Sequence, residues 1–216
     1  VVKGESIVDT GKTLEAMKAD FVVIRNSISG TPKILAENIK ASVINAGDGF
    51  HEHPTQGLLD LYTIQSKHKD LKNLKVVIVG DIEHSRVAKS NIFALNKYGA
   101  KITVVGPPTL IPKSIENFGV KVEYDIERAL VDADVVNILR IQLERQAQNL
   151  FPSLKEYTKL YKITPQILKS AKKDVLIMHP GPMNRGIEIS SEVLNMKNTC
   201  INEQVTNGIA IRMAVL

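Results

Sequence analysis

The sequence has no tryptophan, a single cysteine and only 5% aromatic residues. The lone Cys200 excludes a disulfide framework and a cysteine-built zinc site, and it fits a reducing compartment. No apolar run approaches the ~18 residues needed to cross a bilayer, the longest being stretches such as Val76–Val79. The opening residues, Val1-Val2-Lys3-Gly4-Glu5, run straight into polar sequence and carry no signal-peptide pattern. A strong excess of one charge is also missing. Lys and Arg number 28 against 23 Asp and Glu, too mild and scattered a balance for a nucleic-acid surface, yet enough to line a cleft for a small anion. There is no initiator Met, and the chain stops inside a helical pattern at Ala214-Val215-Leu216, so it reads as an excerpt of a longer protein. The 216 residues are 44% hydrophobic and 24% charged. That is the mix of a soluble globular protein with a proper core, and a prior of ~150 residues per domain gives one or two domains.

Strand-length apolar runs alternate with helical patterns along the chain. Phe21–Ile24, Ser42–Ile44, Val76–Val79, Ile102–Val105, Val135–Leu139 and Val175–Met178 are nearly continuous rather than alternating, as expected of parallel strands covered on both faces. Ile7, Thr10, Leu14 and Met17 share one face of a first helix. Thr31-Pro32 reads as an N-cap followed by proline at the first helical position, and Thr164-Pro165 repeats that signal. The alternation predicts an α/β fold of two doubly wound parallel-sheet domains joined by right-handed crossovers. Residues 1–53 carry two strands only, a partial first domain; residues 54–205 carry four and make a self-sufficient one. A last helix, residues 206–216, returns to the first domain.

In such sheets ligands sit beyond the carboxyl ends of the strands. The polar residues worth singling out fall there: Arg25, Asn45–Gln56, Gly80–Arg86, Arg140–Arg145 and His179–Arg185. Asp48, His51, His53, His84 and His179 could be weighed as metal ligands, but no carboxylate–histidine pattern completes a site and the nearby arginines repel a cation. Gly80 after Val76–Val79 is the only glycine of a dinucleotide fingerprint, and without the second one a pyrophosphate cannot approach the backbone. No metal and no cofactor is expected. Taken singly, Arg86 and Arg140 read as surface ion pairs, Arg140 with Glu144 across one turn. Two arginines at separate strand ends also suit a ligand with two carboxylates, because each guanidinium fork grips one bidentately.

His53-Pro54-Thr55-Gln56-Gly57-Leu58-Leu59-Asp60 resembles the H-P-x-Q-x-L-x-D motif of the carbamoyltransferase family. Lys3-Gly4-Glu5-Ser6, Val79-Gly80-Asp81 with His84-Ser85-Arg86, Leu139-Arg140-Ile141-Gln142 with Glu144-Arg145, and His179-Pro180-Gly181-Pro182 with Arg185-Gly186 resemble the aspartate-specific branch. The resemblance runs through the whole chain in order. Two departures stand out: the family's phosphate-gripping S-T-R-T motif is absent, which predicts that these 216 residues alone are inactive, and Asn26 stands where many relatives carry His.

The resemblance implies transfer of a carbamoyl group from carbamoyl phosphate to L-aspartate in the cytoplasm, an early step of pyrimidine biosynthesis. It implies that His53 and Arg25 meet the carbonyl oxygen and phosphate. Gln56 and the carbonyls of Pro180 and Gly181 would take the carbamoyl NH₂. Arg86 and Arg140, with Gln142 assisting and Glu144 orienting Arg140, would clamp the aspartate carboxylates. Lys3 would reach the site of a neighbouring subunit in a homotrimer, with room left for regulatory or partner subunits. An ornithine-type transcarbamylase and a non-catalytic anion-binding module are the alternatives to be separated from this reading.

Overall fold

The computed structural model describes residues 5–141 and 153–216. Two parallel sheets lie in sequence. The first pairs β1 (Phe21–Asn26) with β2 (Ser42–Asp48), flanked by α1 (Ile7–Ala16) and α2 (Thr31–Asn38). The second has five strands: β3 (Lys75–Val79), β4 (Lys101–Val105), β5 (Lys121–Glu123), β6 (Val135–Ile138) and β7 (Leu176–Met178). Their spatial order is β5-β4-β3-β6-β7, all parallel. Between them run α4 (Arg86–Lys97), α5 (Ile126–Leu130) and α6 (Leu154–Tyr161), and α7 (Ser191–Leu194) follows the last strand.

The near-continuous apolar strands have a simple cause. On β3, Val76 and Ile78 enter one core with Ile64, Ile92 and Val104, while Val77 and Val79 enter a second with Val136, Ile138 and Tyr157. Both faces are buried, so both parities of the strand must be apolar.

Two helices tie the sheets together. α3 (Pro54–Lys67) contacts β2, α4 and α8 (Ile201–Val215), and α8 also contacts β7. The α3–α8 crossing is close: a Cβ on Gly208 would lie 3.2 Å from Leu59 Cδ2 and 2.5 Å from Arg212 Nη1. Phe21 and Val23 of β1 are about half exposed, and Val205, Ile209 and Met213 of α8 more so.

Several local expectations need correction. The last helix begins at Ile201, not at 206, behind Cys200, whose side chain makes no capping bond to the helix. Thr31 is the first helical residue rather than the cap; Gly30, with φ +86°, takes the cap position and Thr31 Oγ1 donates back to Ile28 O at 2.7 Å. Thr164-Pro165 starts only one 3₁₀ turn, Ile167–Ser170, with Thr164 Oγ1 accepting from Ile167 N. Met17 lies past the end of α1 and is exposed, whereas Gly11 is the helix's buried contact with Leu35. The second sheet has a fifth strand, β5, that the apolar pattern did not show.

Candidate active site

Strand order reverses between β3 and β6, since β4 and β5 lie to one side and β6 and β7 to the other. The carboxyl ends of these adjacent strands are where ligands settle in doubly wound sheets. Gly80–Ser85 leaves β3 and leads to Arg86 at the start of α4; Leu139 and Arg140 leave β6. The two candidate carboxylate clamps therefore flank the switch point. Arg86 is buried, with Nη1 3.4 Å from Gly49 O. Its guanidinium covers Gly47, where an added Cβ would meet Cζ and Nη1 at 2.8 Å. Arg140 is half-buried. Gln142, Glu144 and Lys3 lie outside the described residues.

His53 immediately precedes α3. Its carbonyl accepts from Gln56 N (3.0 Å) and Gly57 N (3.1 Å), and its N–H donates to Ser90 Oγ at 2.9 Å, which pins the residue between α3 and α4. Nδ1 is buried without a hydrogen-bond partner among the described residues. Burial lowers the pKa to about 4, helped by the charges of Arg86, Arg25 and Arg212, so the ring is neutral at pH 7. A neutral imidazole still donates one hydrogen bond. Arg25 lies near the end of β1 and is exposed. Arg212, on α8, carried no role in the sequence; only its spacing of four from Gly208, whose O accepts from Nη1 at 2.9 Å, hints that it folds back along the helix.

Gln56, Pro180, Gly181, His179 and Arg212 line one cavity of about 260 Å³ between α3, α8 and the turn after β7. A larger groove of about 460 Å³ lies between α3 and α4, but Leu58, Leu61, Phe93 and Tyr98 make it apolar and unsuited to an anion. Gln56 Nε2 donates to Asp60 Oδ1 at 3.0 Å. His179 Nδ1 accepts from Gly181 N at 2.9 Å, so its proton sits on Nε2, which faces Glu188 Oε1 at 3.2 Å. Glu188 Oε1 also accepts from Asn184 N, and Asn184 Nδ2 donates to Ile141 O at 2.9 Å, joining the Pro180 turn to the Arg140 loop.

His51 and His84 have separate carboxylate partners. His51 Nδ1 is 3.1 Å from Asp48 Oδ2, and His84 Nδ1 is 3.0 Å from Asp81 Oδ1. Among the described residues no three His, Cys, Asp or Glu gather as a metal-holding group. The structure thus brings His53, Arg25, Arg86 and Arg212 into one electrostatic neighbourhood, and Gln56, Pro180 and Gly181 around one cavity. The Asp60 network and Arg212 escaped the sequence.

Comparison with known proteins shows the family of the chain. Over its full length the chain is 69% identical to the aspartate carbamoyltransferase catalytic subunit of Endomicrobium trichonymphae, covering 69% of that protein. It is 59% identical to the Moorella thermoacetica subunit, again over the full chain and 70% of the relative. Among solved structures, ornithine carbamoyltransferase from Pyrococcus furiosus superposes with a TM-score of 0.84 at 28% identity, over 98% of this chain and 70% of that one. Aspartate transcarbamoylase from Trypanosoma cruzi in complex with N-(phosphonacetyl)-L-aspartic acid gives 0.81 at 26%, over 99% and 68%. Residues 1–66 match the family's carbamoyl-P binding domain and residues 72–216 its Asp/Orn binding domain. The chain belongs to the aspartate/ornithine carbamoyltransferase family.

Proposed function

We propose that the protein transfers the carbamoyl group of carbamoyl phosphate to the α-amine of L-aspartate, releasing phosphate and N-carbamoyl-L-aspartate, an early step of de novo pyrimidine biosynthesis. One observation carries the reading: a neutral His53 held among arginines, its carbonyl bonded to the N–H of Gln56, whose amide lines a cavity together with a Pro-Gly turn. The amine lone pair attacks the carbamoyl carbon, charge builds on the carbonyl oxygen, the C–O bond to phosphate breaks with its electron pair leaving on phosphate, and the departing phosphate takes up the proton that the attacking amine loses. His53 donates to the carbonyl oxygen and Arg25 neutralises the phosphate. Fixed donors of this kind are worth ~10²–10³ in rate each.

Gln56 Oε1 and the carbonyls of Pro180 and Gly181 accept from the carbamoyl NH₂. That orients the carbonyl carbon toward the amine, and orientation alone reaches effective molarities of ~10⁵–10⁸ M. Arg86 and Arg140, with Gln142, hold the two aspartate carboxylates. Ornithine carries one carboxylate and a second amine, so a pair of guanidiniums on the switch-point rim favours the dicarboxylate. The reaction needs no metal or organic cofactor. Uncovered apolar side chains on β1 and α8 support burial against further protein surface, and we read the assembly as a cytoplasmic homotrimer in which Lys3 enters a neighbour's site. Phosphate release from carbamoyl phosphate tests the reaction: it should depend on aspartate and ignore ornithine. Ornithine-dependent release would move the chain to the other branch of the family, and binding without turnover would make it an anion-binding module.

A further inference from the structure

We propose that Asp60 is a positioning residue of the transfer site: it holds the Gln56 side-chain amide with the nitrogen turned inward and the oxygen available to the α3–α8 cavity. The inference rests on the reading that Gln56 meets the carbamoyl NH₂. Asp60 is 1% exposed, and amides rather than a cation satisfy it. Gln56 Nε2 (3.0 Å) and Gln204 Nε2 (2.8 Å) donate to Oδ1; Asn91 Nδ2 (2.8 Å) and Asn137 Nδ2 (3.4 Å) approach Oδ2. The four donors come from α3, α8, α4 and β6.

Burial raises the Asp60 pKa and its four amide hydrogen bonds oppose that rise; facing four N–H donors, the carboxylate serves as an acceptor only. Every amide around it must therefore turn its nitrogen inward, and each oxygen is left at the other end. For Gln204 that oxygen takes the backbone N–H of His179 at 2.9 Å, and His179 in turn holds Gly181 N–H. For Gln56 the oxygen is the end of the amide left for the cavity that the side chain lines. One buried acceptor thereby sets the polarity of two cavity walls, the α3 amide and the Pro180–Gly181 turn. With the Gln56 oxygen and, on the proposed reading, the Pro180 and Gly181 carbonyls as acceptors, the site selects an NH₂ group. A methyl group in its place gains nothing from them.

The isosteric substitution Asp60→Asn tests this in the assembled protein. An amide in place of the carboxylate both donates and accepts, so the surrounding amides lose their single allowed orientation and Gln56 can offer NH₂ to NH₂. The readout is the inhibition constant of acetyl phosphate divided by the KM of carbamoyl phosphate, since acetyl phosphate carries CH₃ where the substrate carries NH₂. In Asp60→Asn this ratio should fall by about tenfold, the scale of one lost amide hydrogen bond, while the KM for aspartate stays within about twofold. A purely structural Asp60 would lower the melting temperature and the active fraction and leave the ratio where it was; that result overturns the proposal. If Asp60→Asn does not fold, neutron diffraction from deuterium-exchanged crystals of the unsubstituted protein decides. Deuterons on the Gln56 atom facing Asp60 support the assignment, and deuterons on the atom facing the cavity overturn it. An unsubstituted protein with no preference for carbamoyl over acetyl phosphate would refute the Gln56 reading itself, while the neutron map still tests Asp60 separately.

Discussion

The guanidinium of Arg86 lies over the α-carbon of Gly47, so close that a β-carbon there would stand 2.8 Å from Cζ. Gly47 also has φ +135°, a conformation side chains rarely adopt. The carboxyl end of β2 is thus a seat for one arm of the proposed carboxylate clamp. Gly47→Ala should cost roughly 1–3 kcal/mol of stability through backbone strain. It should also push Arg86 out of place, raising the KM for aspartate with much less effect on that for carbamoyl phosphate. Steady-state kinetics and chemical denaturation check both effects.

The two-arginine clamp makes a ligand prediction. Arg140→Ala should weaken dicarboxylate binding by about 2–5 kcal/mol, because a desolvated carboxylate is left unpaired. Succinate keeps both carboxylates and lacks the amine. It should compete with aspartate when carbamoyl phosphate is present, and competition assays at rising succinate read this directly.

His53 predicts a pH dependence with a definite sign. Its folded pKa of about 4 lies below the ordinary 6.5, first through burial and then through the charges of Arg86, Arg25 and Arg212. The unfolded chain therefore binds the proton more readily. The stability this group allows is fully present above pH 6.5, declines as pH falls toward 4, and levels off below, a difference of about 3 kcal/mol. His53→Gln should flatten that window in denaturation curves measured from pH 7 to 4. In histidine-labelled NMR titrations, Arg212→Met should move the His53 midpoint upward by removing one of the depressing charges.

How much of this was legible beforehand follows from the range of each interaction. β3 and β6 are apolar on both parities, and their strand character shows locally. β5 is three residues, Lys121-Val122-Glu123, whose single apolar position carries no period. α8 opens at Ile201 behind a cysteine, without the Ser, Thr, Asp or Asn that marks a helix start. The arginines and His53 were readable because strand ends and a specific motif gave them away. Asp60 stood in that same motif with no role, since its partners Asn91, Asn137 and Gln204 are 31, 77 and 144 residues away. Contacts of that span exist only in the fold.

The shared-site reading of Lys3 predicts complementation. Full-length Lys3→Gln and Arg86→Ala should each be inactive, and dissociating and reassociating them together should restore activity. A closed ring with heterologous interfaces gives each mixed trimer about one intact site, whichever mutant is in excess. Confirmed mixed trimers as inactive as their parents would place Lys3 in its own chain's site or in none.

The most direct test of the reaction follows the bond that forms. With ¹³C-carbamoyl phosphate, ¹⁵N-aspartate and unlabelled ornithine supplied together, the account predicts a one-bond ¹³C–¹⁵N coupling in the product, joining the carbamoyl carbon to the aspartate α-nitrogen. A label that appears on ornithine, or that never leaves carbamoyl phosphate except by its uncatalysed breakdown, would contradict it.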